Sequence, residues 1–109
     1  MSAAADIRIR LSGPAAPGGV VEVTTLALAP PLADPAAGFD ADGLPVPHYV
    51  GFEAEFDGRP LWRAVLGPGV SREVMLVFSF RPDRPGALTL RWRRRDGGVE
   101  TRQVAVPAG

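Results

Sequence analysis

Apolar and polar residues alternate with a period of two along most of this chain. The clearest run extends from Val50 to Phe56, where apolar side chains alternate with Gly51, Glu53 and Glu55. Successive side chains of a strand point to opposite faces, so this alternation is typical of a strand with one buried face. Similar alternation predicts further strands over 7–11, 19–28, 61–66, 76–80, 88–93 and 99–106.

Turn-forming residues separate these runs. Asp57-Gly58 and Asp96-Gly97-Gly98 are hairpin signals, and the 12 prolines argue against long helices. About seven short strands with such turns predict an all-β fold, a β-sandwich. The 109 residues suffice for one domain covering 1–109, with no linker that would divide it.

Composition narrows the classes of function. The formal net charge is zero, which weakens the case for nucleic acid or an anionic membrane, since both attract a positively charged surface. There is no cysteine, which excludes disulfides and thiolate sites. No apolar stretch is long enough to span a membrane, and 1–11 has no apolar segment of the secretory type. On its own sequence, the chain would stay in the cytoplasm.

Catalytic chemistry is poorly represented. His48 is the only histidine. A nucleophile activated by it could be imagined at Ser12, Ser71 or Ser79. None of these serines lies in a nucleophile-elbow context. The segment 40–43 resembles the opening of a calcium loop but lacks the glutamate that should follow, which favours a solvated turn. We therefore expect no catalytic residue, no metal and no cofactor.

Binding to another protein is the favoured activity. The long proline-rich segment 29–48 is irregular, and loops of this length are usually functional or mobile. Arginines cluster at 91–95, where a solvated or partner-binding face is favoured over a nucleic-acid patch. Exposed aromatic, Met and Arg residues are enriched at interfaces. The predicted partner-binding residues are His48, Tyr49, Met75, Arg91 and Arg93.

Five segments, in order along the chain, resemble the SoxZ family of sulfur-oxidation proteins. They are 19–26 (GVVEVTTL), 42–47 (DGLPVP), 52–58 (FEAEFDG), 64–71 (AVLGPGVS) and 90–92 (LRW) followed by Asp96-Gly97. The resemblance covers roughly Ile7 to Val106. It implies an immunoglobulin-like sandwich that performs no chemistry itself.

The resemblance also implies a partner and a compartment. SoxZ forms a heterodimer with SoxY, whose terminal cysteine carries the sulfur intermediates of thiosulfate oxidation. The implied location is the periplasm, reached by export together with SoxY, because SoxZ has no signal of its own; without the partner, the chain would remain cytoplasmic. In isolation, the chain is expected to be able to form a homodimer.

One departure keeps an alternative open. Arg94-Arg95-Asp96 stands where the family has an acidic run before its last hairpin. The alternative to a SoxY-like partner is an immunoglobulin-like binding module with a different protein partner. An enzyme that depends on His48 and a nucleic-acid binder are the weaker hypotheses.

Overall fold

The computed structural model describes residues 6–14, 16, 18–67 and 72–107. Within them, almost every regular element is a strand, as the alternation predicts. The strands are β1 (Asp6–Ser12), β2 (Val21–Leu28), β3 (Tyr49–Phe56), β4 (Arg59–Val65), β5 (Glu73–Phe80), β6 (Gly86–Arg94) and β7 (Val99–Val106). A single 3₁₀ turn, Pro35–Gly38, lies in the proline-rich segment.

The strands form two antiparallel sheets, which confirms the predicted β-sandwich. One sheet has the order β1-β2-β5 and the other the order β4-β3-β6-β7. In constant-type immunoglobulin domains the fourth strand joins the sheet of the first, second and fifth strands. Here β4 pairs instead with β3. One edge of β5 therefore has no neighbouring strand among the described residues.

The core lies between the sheets and is built from the inward positions of the alternating runs. Phe52 of β3 and Phe78 of β5 meet across it, with ring centroids 6.2 Å apart, and Trp92 packs on Phe52 at 5.1 Å. Aromatic pairs at such distances stabilise a core beyond the area they bury. Thr25 is the buried polar residue at the centre of β2, and its hydroxyl donates to the carbonyl of Leu76.

The Asp57-Gly58 turn forms as the sequence predicts. Both residues have positive φ, 49° and 81°, which the two-residue turn of a tight hairpin requires. The Asp57 carboxylate also accepts the backbone N–H of Ala87 at 2.8 Å. The β3–β4 turn is thereby tied to the beginning of β6, its neighbour in the same sheet.

The proline-rich segment is ordered by short-range polar contacts. Asp34 caps the 3₁₀ turn by accepting the N–H of Ala36, and Asp40 Oδ1 accepts the N–H groups of Asp42 and Leu44. The segment 40–43 is thus an exposed turn closed by an aspartate side chain, as predicted. The N–H of Arg95 donates to the carbonyl of His48 at 2.8 Å, which ties the end of the segment to the β6–β7 hairpin, where the segment forms one wall of a cleft.

Candidate interaction surfaces

The outer face of the three-stranded sheet carries exposed apolar side chains. Met75 is 65% exposed and Val77 48% exposed, and both point outward from β5. Leu26 and Leu28 point outward from the neighbouring strand, where Leu26 lies directly beside Met75. We call these four residues the apolar stripe. Contiguous apolar surface of this kind is a candidate site of interaction.

The outer face of the four-stranded sheet is charged, and its charges pair with one another. Arg91 contacts Glu55 at 2.8 Å, and Arg93 contacts Glu53 at 2.7 Å. We call these four residues the charged face. Each of these two arginines lies against a carboxylate of β3, whereas Arg63 of β4, which lies opposite Glu53 on the same side of the sheet, has no carboxylate within ion-pair distance among the described residues.

A cleft of about 560 Å³ lies between the proline-rich segment, the residue preceding β5 and the β6–β7 hairpin. Its lining is apolar on the side of the proline-rich segment and cationic on the side of the hairpin. The lining residues are Leu32, Ala37, Phe39, Asp40, Val46, Pro47, His48, Arg72, Arg94, Arg95 and Asp96.

Most of the charge in this cleft is already engaged. Arg94 donates to Asp96 at 3.1 Å and to Glu100 at 2.7 Å, and these two carboxylates raise the pKa of Arg94. The pKa of Asp96 is lowered chiefly because its carboxylate accepts the N–H of Gly98. The hydrogen bond from Arg94 lowers it further. Arg72 donates to the backbone carbonyl of Pro30. The cleft is consequently held together by its own polar groups.

His48 lies half-buried in the same cleft. Burial is the main cause that lowers its pKa, and the cations Arg72 and Arg94 add to the effect. The imidazole is therefore neutral at pH 7, and its ring packs edge-on against Tyr49 at 4.6 Å.

The serines that could be imagined as partners of His48 lie elsewhere. Ser12 and Ser79 both flank Glu22, at the end of the three-stranded sheet remote from Arg72. Along β5, the seven-residue step from Arg72 to Ser79 spans about 24 Å. Ser71 lies outside the described residues. No described serine is brought to the imidazole.

Over the described ranges, no group of three or more acidic or histidine side chains is placed to hold a metal ion. Over the same residues, no helix has the length and apolar character needed to cross a membrane.

The five predicted partner-binding residues do not form one surface. Met75 lies on the apolar stripe, Arg91 and Arg93 lie on the charged face of the other sheet, and His48 lines the cleft. Tyr49 is fully buried beneath His48. A partner cannot reach Tyr49 in this structure, so its assignment to an exposed surface is corrected.

A β-bulge explains the burial of Tyr49. The register between β3 and β6 shifts between Tyr49 and Gly51, so that the residues on both sides of Val50 do not follow simple alternation. Tyr49 and Phe52 consequently both point inward, although strict period two places them on opposite faces.

Several exposed apolar residues were missed by the sequence analysis. Val65 at the end of β4 is 88% exposed, Phe39 in the proline-rich segment is 56% exposed, and Val77 belongs to the apolar stripe. For Val77 a signal existed, because it alternates with the inward-pointing Leu76 and Phe78 and so had to face outward. Phe39 lies outside any strand, where alternation gives no information.

No protein-family model matches this sequence, and a search of curated proteins finds no match either.

Proposed function

We propose that this chain is a non-catalytic subunit of a sulfur-oxidation carrier complex. It binds a SoxY-like protein whose cysteine carries sulfur intermediates derived from thiosulfate, and it reaches the periplasm together with that protein. The observation that carries the proposal is the order of the five SoxZ-like segments, which extend over both sheets. They correspond to β2, the loop before β3, β3 with its turn, the end of β4 and the segment after it, and β6.

The composition and the surface are consistent with a docking role. A chain without cysteine cannot hold a persulfide itself, so the sulfur must reside on its partner. The apolar stripe supplies exposed Met75 and Val77, and methionine is enriched at protein interfaces. A partner covering this stripe removes it from water, which is the principal driving force of association.

The test is coexpression with the protein encoded beside this chain, if that protein ends in a cysteine-bearing tail. We expect both proteins to elute together in size-exclusion chromatography, with the mass of a 1:1 complex by light scattering. A carrier whose cysteine is replaced by serine should bind equally well, because docking and sulfur transfer are separate functions. Two folded proteins that elute apart contradict the proposal.

Matched variants locate the docking surface. Met75→Lys places a charge on the apolar stripe, whereas Arg93→Gln removes one from the charged face. We expect Met75→Lys to weaken the complex at least about tenfold and Arg93→Gln to change it little, because residues at the rim or outside an interface contribute little. The reverse result would move the docking surface to the other sheet.

The second candidate is an immunoglobulin-like binding module with a different partner. Its support is the segment Arg94-Arg95-Asp96, which borders the cleft. At this position of the sequence the SoxZ family has an acidic run instead. Within the described residues, Arg94 is paired with carboxylates, whereas Arg95 has none within ion-pair distance. A defined complex with an acidic protein that is lost in Arg95→Glu, together with failure to bind the carrier, would favour this candidate.

A further inference from the structure

Four strands of this sandwich lie at sheet edges. These are β1 and β5 in one sheet and β4 and β7 in the other. An edge strand presents unpaired backbone N–H and C=O groups, to which a strand of another chain can add. Proteins usually obstruct such edges with charged side chains, proline, bulges or charged residues that point inward.

Three of the four edges carry such obstructions. β1 places the exposed arginines Arg8 and Arg10 along its length. β4 contains Pro60 and lies against a bulge at Ala54/Glu55. β7 points Glu100 and Arg102 toward the inner side of the sheet, opposite the buried residues Trp92 and Leu90.

β5 is different. Its sequence is EVMLVFSF, which has no proline and no basic residue, and its one charged residue is the first. It pairs with β2 over all eight residues without a shift of register, so no bulge bends it. Its outward side chains include Met75 and Val77 of the apolar stripe. Because β4 has joined the other sheet, no described strand covers this edge.

The backbone of β5 also directs unpaired N–H and C=O groups toward the free edge of the sheet. Ala29 N donates to the carbonyl of Arg72 at 2.9 Å, and these residues lie opposite each other in the continued β2–β5 register. Because hydrogen-bonded and non-hydrogen-bonded pairs alternate in an antiparallel ladder, Val74 and Leu76 bond toward β2. The N–H and C=O groups of Met75 and Val77 then face the free edge.

We propose that a second copy of this chain adds to that edge, β5 against β5, antiparallel, with the twofold axis at Leu76. In this register Met75 lies opposite Val77 of the second copy, and Glu73 lies opposite Ser79. The register is self-complementary, as a twofold interface requires, because apolar residues oppose apolar residues and like charges do not oppose each other. The two three-stranded sheets become one sheet of six strands.

An aromatic residue beside the edge supports the assignment. Trp62 of β4 is 37% exposed and stacks on Phe78 of β5, with ring centroids 5.4 Å apart. It therefore adds apolar surface beside the β5 edge on the inner side of the strand, opposite the side of the apolar stripe. One strand and one indole make a small interface, which places the dimer in the weak, reversible class.

Sedimentation velocity of the pure chain tests the proposal over about a hundredfold range of concentration, because association follows mass action. We expect a reversible monomer–dimer equilibrium. Val77→Lys should weaken the dimer at least about tenfold, because lysine on an edge strand opposes pairing. The matched control is Val65→Lys, which makes the same change at an 88% exposed valine of β4 and should leave the dimer unchanged.

A distance measurement tests the register. The chain has no cysteine, so Ser79→Cys gives one site for a spin label. With the axis at Leu76, the two labelled positions lie six residues apart along the strands, about 20 Å. Circular dichroism and urea unfolding verify that every variant is folded.

A chain that stays monomeric at all concentrations overturns the proposal, and so does equal weakening by both lysine variants or a label distance far from about 20 Å. If the chain is monomeric and Val77→Lys abolishes only its binding to the carrier, this edge belongs to the carrier interface. That result also overturns the proposal of a dimer. The concentration series and the label distance are measured on the chain alone, so these two outcomes do not depend on the proposed function.

Discussion

The two outer faces of this sandwich differ in how completely their side chains are satisfied. On the charged face, Arg91 and Arg93 lie against Glu55 and Glu53 at 2.8 and 2.7 Å. On the apolar stripe, Met75 and Val77 remain 65% and 48% exposed with nothing described above them. A face whose charges are paired gains little from a partner, whereas exposed apolar surface gains whenever it is covered.

This difference shows why a cluster of charged residues in a sequence is a weak indication of unpaired charge on the folded surface. In the sequence, the arginines at 91–95 form the most conspicuous cluster, yet three of them, Arg91, Arg93 and Arg94, are bound to carboxylates of the same domain. The apolar stripe is inconspicuous, because its members are scattered between two strands.

Substitutions on the two sides of β5 should differ most in their effect on the free energy of unfolding. Phe78 points inward, stacks on Trp62 and contacts Phe52, so Phe78→Ala should lower the free energy of unfolding by about 3–5 kcal/mol. Val77 points outward from the same strand, and Val77→Thr retains β-branching there, so we expect a change within about 0.5 kcal/mol. Urea denaturation followed by tryptophan fluorescence measures both. Comparable losses would mean that the stripe is part of the core.

The alternation that predicts these two roles also predicts most of the fold. Every predicted strand is present, because residues such as Phe52 and Glu53 can satisfy burial and hydration only by pointing to opposite faces. The Asp57-Gly58 hairpin signal further predicts that β4 pairs with β3. The pairing of β2 with β5 and of β3 with β6 could not be predicted, because it depends on contacts between distant segments, which neither period two nor the turns contain.

The candidate surface was harder to predict than the fold. The bulge at Val50 reverses the face of Tyr49, and its sign in the sequence is weak: an isolated glycine, Gly51, which often marks a bulge within a strand. The pairing of Glu53 with Arg93 depends on β3 lying beside β6, although the two residues are 40 positions apart in the chain. Met75 alone of the five predicted residues lies on the exposed apolar surface; it directly precedes the predicted run 76–80, and continuing that alternation by one residue gives its outward direction.

Low pH should destabilise the folded state, because two turns of the four-stranded sheet depend on ionised aspartates. Asp57 at the β3–β4 turn has a lowered pKa, chiefly because it accepts the N–H of Ala87, and Asp96 at the β6–β7 turn has one chiefly because it accepts the N–H of Gly98. A carboxylate whose pKa is lower in the folded state stabilises that state above its unfolded pKa of about 4. That contribution is lost as the pH falls through the folded value.

Asp57→Asn and Asp96→Asn test this dependence. Asparagine tolerates positive φ and can still accept the backbone N–H, so the turns should persist while the titration is removed. We expect the urea midpoint of the double variant to fall less than that of the wild type between about pH 7 and pH 3. Parallel curves for the two proteins would show that these turns do not govern acid sensitivity.

A double-mutant cycle on the charged face has a smaller expected effect. Arg93 and Glu53 are in contact, but their side chains are 56% and 25% exposed, so solvent screens the attraction. Glu53→Gln, Arg93→Gln and the double variant should give a coupling energy of at most about 1 kcal/mol, and less in high salt. A coupling that is several times larger and insensitive to salt would mean that this face is effectively buried.

The smallest effect is expected below the cleft, at Tyr49. Its hydroxyl is buried, and no described group lies within hydrogen-bonding distance of it, so the folded state carries the cost of desolvating it. Tyr49→Phe removes the hydroxyl and keeps the ring against His48, so the free energy of unfolding should stay the same or rise by up to about 1 kcal/mol. Carrier binding should not change, because Tyr49 is fully covered. A loss of stability would mean that the hydroxyl has a hydrogen-bond partner, and a loss of binding would place Tyr49 in the partner-contacting role that the structure denies it.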